Sequence, residues 1–192
     1  MAPATGRSLV EIFASEKSGR VIPERDHVLV GRERNDIGRP QDWGYPVRGI
    51  VKDDMLYLHN FESSRWPCVN PETGYLDTDA SPTKTEVLKT RLDPKQKHYW
   101  DACFGKRPHE QLYDLKKDPD CINDLANAAE LQEIKLKLKQ QLFAELKVQE
   151  DPRVLGNGHI FDEYPHANEK KRGFYERYMK GEFIEADWVN KS

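Results

Sequence analysis

Long apolar runs are missing from this chain. No stretch of its 192 residues approaches the ~20 apolar side chains needed to span a bilayer, which argues against a membrane partner. The opening Met1-Ala2-Pro3-Ala4-Thr5-Gly6-Arg7 has no apolar core of the kind a secretory signal carries. Cysteine is scarce: Cys68, Cys103 and Cys121 are widely spaced and form no C-x-x-C. Buried free thiols are the reading, with one disulfide as the alternative. An excess of positive charge is also absent, since 30 Lys plus Arg meet 33 Asp plus Glu. That balance excludes the broad basic field that drives nucleic-acid binding. The densest basic cluster, Lys170-Lys171-Arg172, has Glu169 before it and Glu176 after it and reads as a solvated face.

The usual chemical constellations are missing as well. His27, His59, His98, His109, His159 and His166 never fall two or four residues apart, so there is no zinc signature. Asp53-Asp54 and Asp77-Thr78-Asp79 read as solvated turns, because no spaced oxygen series of the EF-hand type follows either pair.

What is present is a patterned domain. A chain of this length has a prior of one domain, able to bury roughly 70% of its unfolded surface. Arg7 to Ala14 reads as a short helix. His27-Val28-Leu29-Val30 reads as a strand, and the segments Val47 to Val51 and Met55 to His59 read as a hairpin joined at Lys52-Asp53-Asp54. Gln111 to Leu115 makes a fourth short strand, stopped by Asp118-Pro119. Leu131, Ile134, Leu138, Leu142 and Leu146 recur at spacings of three and four and form one apolar helix face, with Asn123 and Asp124 upstream as capping types. The fold expected is α+β: a small four-stranded antiparallel sheet with a long C-terminal helix packed on it. Residues 61–109 form a long insertion, rich in Pro, Thr, Asp and Lys, with helical potential around Lys84 to Leu92 and Lys97 to Phe104. Such a segment is expected to be functional or ordered by a neighbour.

Two sets of residues carry a family resemblance. Glu110-Gln111-Leu112-Tyr113-Asp114-Leu115, Asp118-Pro119-Asp120 and Asn123-Asp124-Leu125-Ala126 resemble the E-L-Y-D-L-x-x-D-P-x-E-x-x-N-L-A segment near the C-terminal end of sulfatases. Val28 to Pro40, Gly44 to Ile50, Tyr57 to Phe61 and Arg65-Trp66-Pro67 resemble the heparan N-sulfatase (N-sulfoglucosamine sulfohydrolase) branch of that family. With Glu72 to Leu76 and Ser81 to Lys84, the likeness covers most of Gly6 to Lys180. The family's nucleophile is a formylglycine made from Cys or Ser in C/S-x-P-x-R, and no Cys or Ser here has Pro two places on. The resemblance therefore implies the C-terminal subdomain of the alkaline-phosphatase-like sulfatase fold, with no catalytic residue and no metal in this chain. Calcium and formylglycine are expected in an N-terminal catalytic domain outside it, in a parent enzyme that is periplasmic or secreted.

On that basis residues 1–24 are the connection from the catalytic domain, 25–150 the subdomain and 151–192 an extended C-terminal tail, aromatic and charged through Trp188. The loop from Arg32 to Asp42 is a candidate substrate wall. Arginine forks bind sulfate or carboxylate in two-point fashion, and carboxylates accept from sugar hydroxyls. Arg32, Glu33, Arg34, Asn35, Arg39 and Asp42 are the candidate substrate-binding residues, with Trp43 as a stacking surface; relatives compared carry His where this chain has Asn35. Without the resemblance, the same loop reads as exposed and internally ion-paired. Arg48, inside a strand, is expected to pair with a carboxylate at a domain interface. The partners implied are the catalytic domain and a sulfated saccharide, with self-association through an apolar patch at Trp43, Tyr45, Phe61 and Trp66. The alternative readings are a free-standing carbohydrate-binding or interaction module, and a degenerate reading frame without activity.

Overall fold

The structure, a computed structural model, describes residues 6–182, so the tail segment containing Trp188 lies outside the described residues. Four strands, β1 (His27–Arg32), β2 (Val47–Lys52), β3 (Met55–Asn60) and β4 (Glu110–Asp114), form one antiparallel sheet in the order β1-β2-β3-β4. The β2–β3 hairpin closes over Asp53 and Asp54, whose φ angles of 48° and 62° are the left-handed pair that a two-residue turn with the right twist requires.

One row of facing residues explains where the core lies. Leu29 faces Ile50, Ile50 faces Tyr57 and Tyr57 faces Leu112 across all four strands. Ile50, Tyr57 and Leu112 are fully buried, because helix α4 (Gln132–Val148) lays Leu138, Leu142 and Leu146 on that row. Each such side chain contributes about 1.5–3 kcal/mol of burial. The expected α+β arrangement is therefore observed. Two details differ. Ile134 is 39% exposed, since the first turns of α4 overhang the sheet near Met55. Asp124 does not cap the helix; its carboxylate accepts from Leu112 N and Ala126 N and ties the connection to β4, and α4 starts at Gln132 without a side-chain cap.

The 61–109 insertion is ordered by its own aromatics and by packing of Val69 and Leu76 on Ile37 and Phe174. Helices α2 (Pro82–Lys89) and α3 (Lys97–Phe104) enclose Tyr75, Trp100 and Phe104, with Trp66, Cys68, Val87 and Leu88 packed around them. Near the N-terminus α1 (Val10–Phe13) is a single turn. Past Asp151 the chain folds back on the β1–β2 connection through α5 (Ile160–Glu163) and α6 (Phe174–Met179). The expected apolar patch is not exposed. Tyr45 is buried, Trp43, Phe61 and Trp66 are half-buried, Arg65 lies 4.7 Å over Trp43 and Lys106 lies 5.2 Å over Trp66. Exposed apolar side chains lie elsewhere, among them Val28 and Val30 on the sheet face away from α4, and Phe13, Leu92, Ile122 and Val148. Lys171 is also buried, so the basic cluster is not uniformly solvated.

Candidate functional site

The β1–β2 connection, residues 33–46, is drawn tight at its base. Tyr45 N donates to Glu33 O at 2.7 Å, and a Cβ on Gly44 would lie 2.5 Å from that same oxygen, so only glycine fits. At its tip a 3-10 turn, Pro40–Asp42, contains two consecutive left-handed residues, Gln41 and Asp42, each with φ 56°. Backbone of this kind costs about 1–3 kcal/mol per residue and persists only when its surroundings impose it. The surroundings here are α6 and the turn before it: Gln41 N donates to Glu176 Oε1 at 2.7 Å, and Gly173 N donates to Asp42 Oδ2 at 2.8 Å.

The six candidate residues do not form one face. Arg32 donates through Nη2 to Pro67 O at 3.1 Å and lies against the Tyr45 ring. Glu33 is held between Arg48 at 2.6 Å and Arg153 at 3.0 Å. Arg34 fastens the C-terminal segment to the loop, donating to Asp42 O and Tyr164 O at 3.0 Å and to Pro165 O at 3.3 Å. Asn35 is exposed. Arg39 is turned inward at 1% exposure, donating to Trp66 O, Pro67 O and, at 2.7 Å, Asp77 Oδ2. Burial pulls its pKa down while Asp77 opposes the shift, and Arg39 Nη1 and Asp77 Oδ1 are left without partners. Asn35 is thus the one exposed candidate of the six, Arg32, Glu33, Arg34 and Asp42 are half-buried, and the Arg34 bonds to Tyr164 O and Pro165 O lie at the surface. Asp77 was expected in a solvated turn; its side chain is instead 2% exposed as the partner of Arg39.

Beside the loop lies a larger ion-pair network. Arg48 bonds Glu33 at 2.6 Å and Asp151 at 2.7 Å, Arg153 bonds Glu33, and Arg65 grips Asp162 with both Nη atoms at 3.0 and 2.9 Å. Arg48 is thus the ion-pair residue its place in a strand suggests, with both carboxylates in this chain. Desolvation opposes its charge, but the bonds from Asp151 and Glu33 outweigh it and raise its pKa. Asp162 follows the same logic in reverse: burial pushes up, Arg65 and Arg153 pull down, and the net shift is downward. Arg153 and Asp162 carried no periodic or motif signal in the sequence, and Arg65 stood out only as part of the Arg65-Trp66-Pro67 string. Only the unusual charge of Asp151-Pro152-Arg153 at the end of the helical pattern could have pointed to the other two.

A second polar group lies under α4. Tyr57 Oη donates to Glu110 Oε1 at 2.8 Å, Lys139 pairs with the same carboxylate at 2.6 Å, and His59 packs between Phe61 and Phe143. Burial raises the Tyr57 pKa and lowers that of His59. Tyr57 is buried between sheet and helix while Glu110 and Lys139 reach solvent at the rim, and the group is a satisfied hydrogen-bond network. Among the described residues no three His, Cys, Asp or Glu side chains gather as metal ligands, and no helix is long and apolar enough to cross a membrane. No protein-family model matches the chain, and no curated protein matches it.

Proposed function

We propose that this chain is the C-terminal subdomain of a sulfatase acting on sulfate esters or sulfamates of glycosaminoglycan-type sugars, and that it supplies packing and substrate contacts but not the nucleophile. The observation that carries the reading is the pairing of the sulfatase-like string with its setting. Glu110 to Asp114 is the closing strand of the sheet, the Asp114–Asp118 turn stops it, and the long helix α4 follows and covers the same sheet. In this reading the strained loop tip with Arg34 and Asn35 is the part that touches the sugar, while Arg39 supports it from inside. Calcium and formylglycine belong to the catalytic domain that this subdomain completes.

One observation favours the second reading, a self-contained carbohydrate-binding or interaction module. The segment from Asp151 to Glu176 already covers the loop: Arg34 donates to Tyr164 O and Pro165 O, Gln41 N donates to Glu176, and Gly173 N donates to Asp42. The two readings separate on assay. The purified chain is expected to give no turnover of an aryl sulfate or N-sulfoglucosamine, and to restore turnover when joined to a sulfatase catalytic domain. Turnover by the chain alone defeats the first reading. Saccharide binding by the chain alone, with no rescue of a catalytic domain, favours the second.

A further inference from the structure

The fold gathers the three cysteines on one side of the molecule. Cys68 follows Pro67 in the loop after β3, and its Sγ donates to the main-chain oxygen of Cys103, in the last turn of α3, at 3.3 Å. Cys103 and Cys121 line the same groove of about 660 Å3, together with Leu58, Arg107 and Tyr113. All three are free thiols, and they differ in access: Cys103 is exposed, whereas Cys68 and Cys121 are half-buried. Burial raises the pKa of both half-buried thiols, and Asp118 and Asp120 raise that of Cys121 further.

We propose that Cys103 and Cys68 form a thiol–disulfide exchange site, in which Cys103 reacts first with a soluble disulfide and Cys68 resolves the adduct into an intrachain bridge. With oxidised glutathione as the co-reactant, the Cys103 thiolate attacks one glutathione sulfur, the S–S bond breaks, and one glutathione leaves and takes up a proton. Cys68 then loses its proton, and its Sγ attacks the sulfur of Cys103 and expels the second glutathione. One disulfide is reduced to two thiols, and two protein thiols are oxidised to Cys68–Cys103. Exposure selects Cys103 for the first step. Position selects Cys68 for the second, because its sulfur already touches the Cys103 main-chain oxygen at 3.3 Å.

The bridge has a defined structural effect. It would close the chain between residues 68 and 103 around the Tyr75, Trp100 and Phe104 cluster. It would also fasten the segment whose Pro67 carbonyl holds both Arg32 and Arg39. Redox state would then reach the β1–β2 connection through Pro67. This inference does not depend on the sulfatase reading.

The test is to incubate the folded, fully reduced chain with oxidised glutathione, count free thiols, and map disulfides by peptide mass spectrometry. The expected result is loss of two thiols, a Cys68–Cys103 linked peptide, a free Cys121, and a melting temperature raised by about 5–10 °C. Cys68→Ser should stop the reaction at a glutathione adduct on Cys103, and Cys103→Ser should leave Cys68 reduced. A stable adduct on Cys103 in the unsubstituted chain, a Cys103–Cys121 or intermolecular bridge, or three unreacted thiols would each overturn the proposal. Because the decisive reading is made on the unsubstituted chain, it stands even if a variant fails to fold.

Discussion

Arg48, the second residue of β2, meets Asp151, the first residue beyond the turn that ends α4, at 2.7 Å. The meeting is set by how the helix stops. Asp151 N donates back to Leu146 O and Glu150 N to Lys147 O, with Glu150 in the left-handed region at φ 57°, the geometry of a Schellman stop. The helix length and its stop together aim the Asp151 carboxylate into the sheet, where Arg48 is already turned inward beside Glu33. From that point the chain is committed to run back over the β1–β2 connection, which is how residues 151–176 come to cover the candidate loop.

Arg48→Ala should cost about 3–5 kcal/mol, because it strips the half-buried Asp151 carboxylate of its ion pair, leaves Glu33 to Arg153 alone, and removes the donor that bonds Arg32 O and Val47 O. Urea denaturation measures it. A loss below about 1 kcal/mol would mean the network is worth no more than a surface pair.

Glu150→Gly should stabilise the chain by about 0.5–1 kcal/mol. The left-handed conformation strains a residue with a Cβ and suits glycine, which outweighs the extra chain entropy glycine brings to the unfolded state. Thermal melts of the two proteins decide it, and an unchanged or lower melting temperature would show that the Glu150 side chain contributes something the backbone geometry does not reveal.

Along α4 the same kind of truncation should have very unequal consequences at two positions. Leu142 is fully buried on the Ile50–Tyr57–Leu112 row, so Leu142→Ala should cost about 2–5 kcal/mol. Ile134 hangs past the sheet edge, so Ile134→Ala should cost well under about 1 kcal/mol. Equal costs would place the sheet under the wrong turns of the helix.

This pair also shows what the sequence could tell. Short apolar runs at 47–51 and 55–59 joined by Asp53-Asp54, and a period of three to four in 131–146, specify hairpin and helix directly, because run length, turn residues and helical spacing are consequences of backbone geometry. The core row and the order of elements follow from them. The candidate loop was legible only as composition: arginines and carboxylates close together. Whether Arg39 faces solvent or Asp77 depended on a partner far along the chain, and Arg65, Arg153 and Asp162 had no periodicity to betray them. The cysteines illustrate the same limit, since their convergence comes from the insertion folding on its own aromatics.

The His27 cluster should give the fold a pH dependence of predictable sign. Nδ1 and Nε2 of His27 lie 2.7 and 2.8 Å from Asp26 and Glu145, with Lys52 on Asp26 and Gln141 alongside. Burial pushes the imidazole pKa down, but the two carboxylates outweigh it and the net shift is upward from 6.5. Stabilisation from His27 is therefore complete below about pH 6.5 and is lost as pH rises through the folded value. Asp26, pulled down to about 2 chiefly by its bond from Lys52, contributes stability above its ordinary 3.8 that is lost only as pH falls toward 2. Between pH 5 and 8.5 the unsubstituted chain should lose more melting temperature than His27→Gln. His59, half-buried and with its pKa lowered by burial, has the opposite tendency but is common to both proteins and cancels in the difference. Parallel curves would rule out the cluster as the source.

The substrate reading separates two arginines that the sequence placed together. Arg34 sits at the loop surface on three carbonyl oxygens, so Arg34→Ala should have a modest effect on stability and a large one on recognition of an N-sulfated oligosaccharide. Arg39, at 1% exposure against Asp77, should behave in the reverse way: Arg39→Ala leaves a buried carboxylate uncompensated and should cost about 3–5 kcal/mol, while the protein that remains folded binds the saccharide nearly as before. In an enzyme assembled with a catalytic domain, Arg34→Ala should lower kcat/KM for the sulfated sugar much more than for a small aryl sulfate, because a wall residue touches the sugar and not the transferred group. Titration with an N-sulfated and a desulfated oligosaccharide, beside urea denaturation of each variant, reads both axes. If Arg34→Ala weakens folding and leaves saccharide recognition intact, the loop serves as a clasp for residues 164–165 and the sugar is met elsewhere.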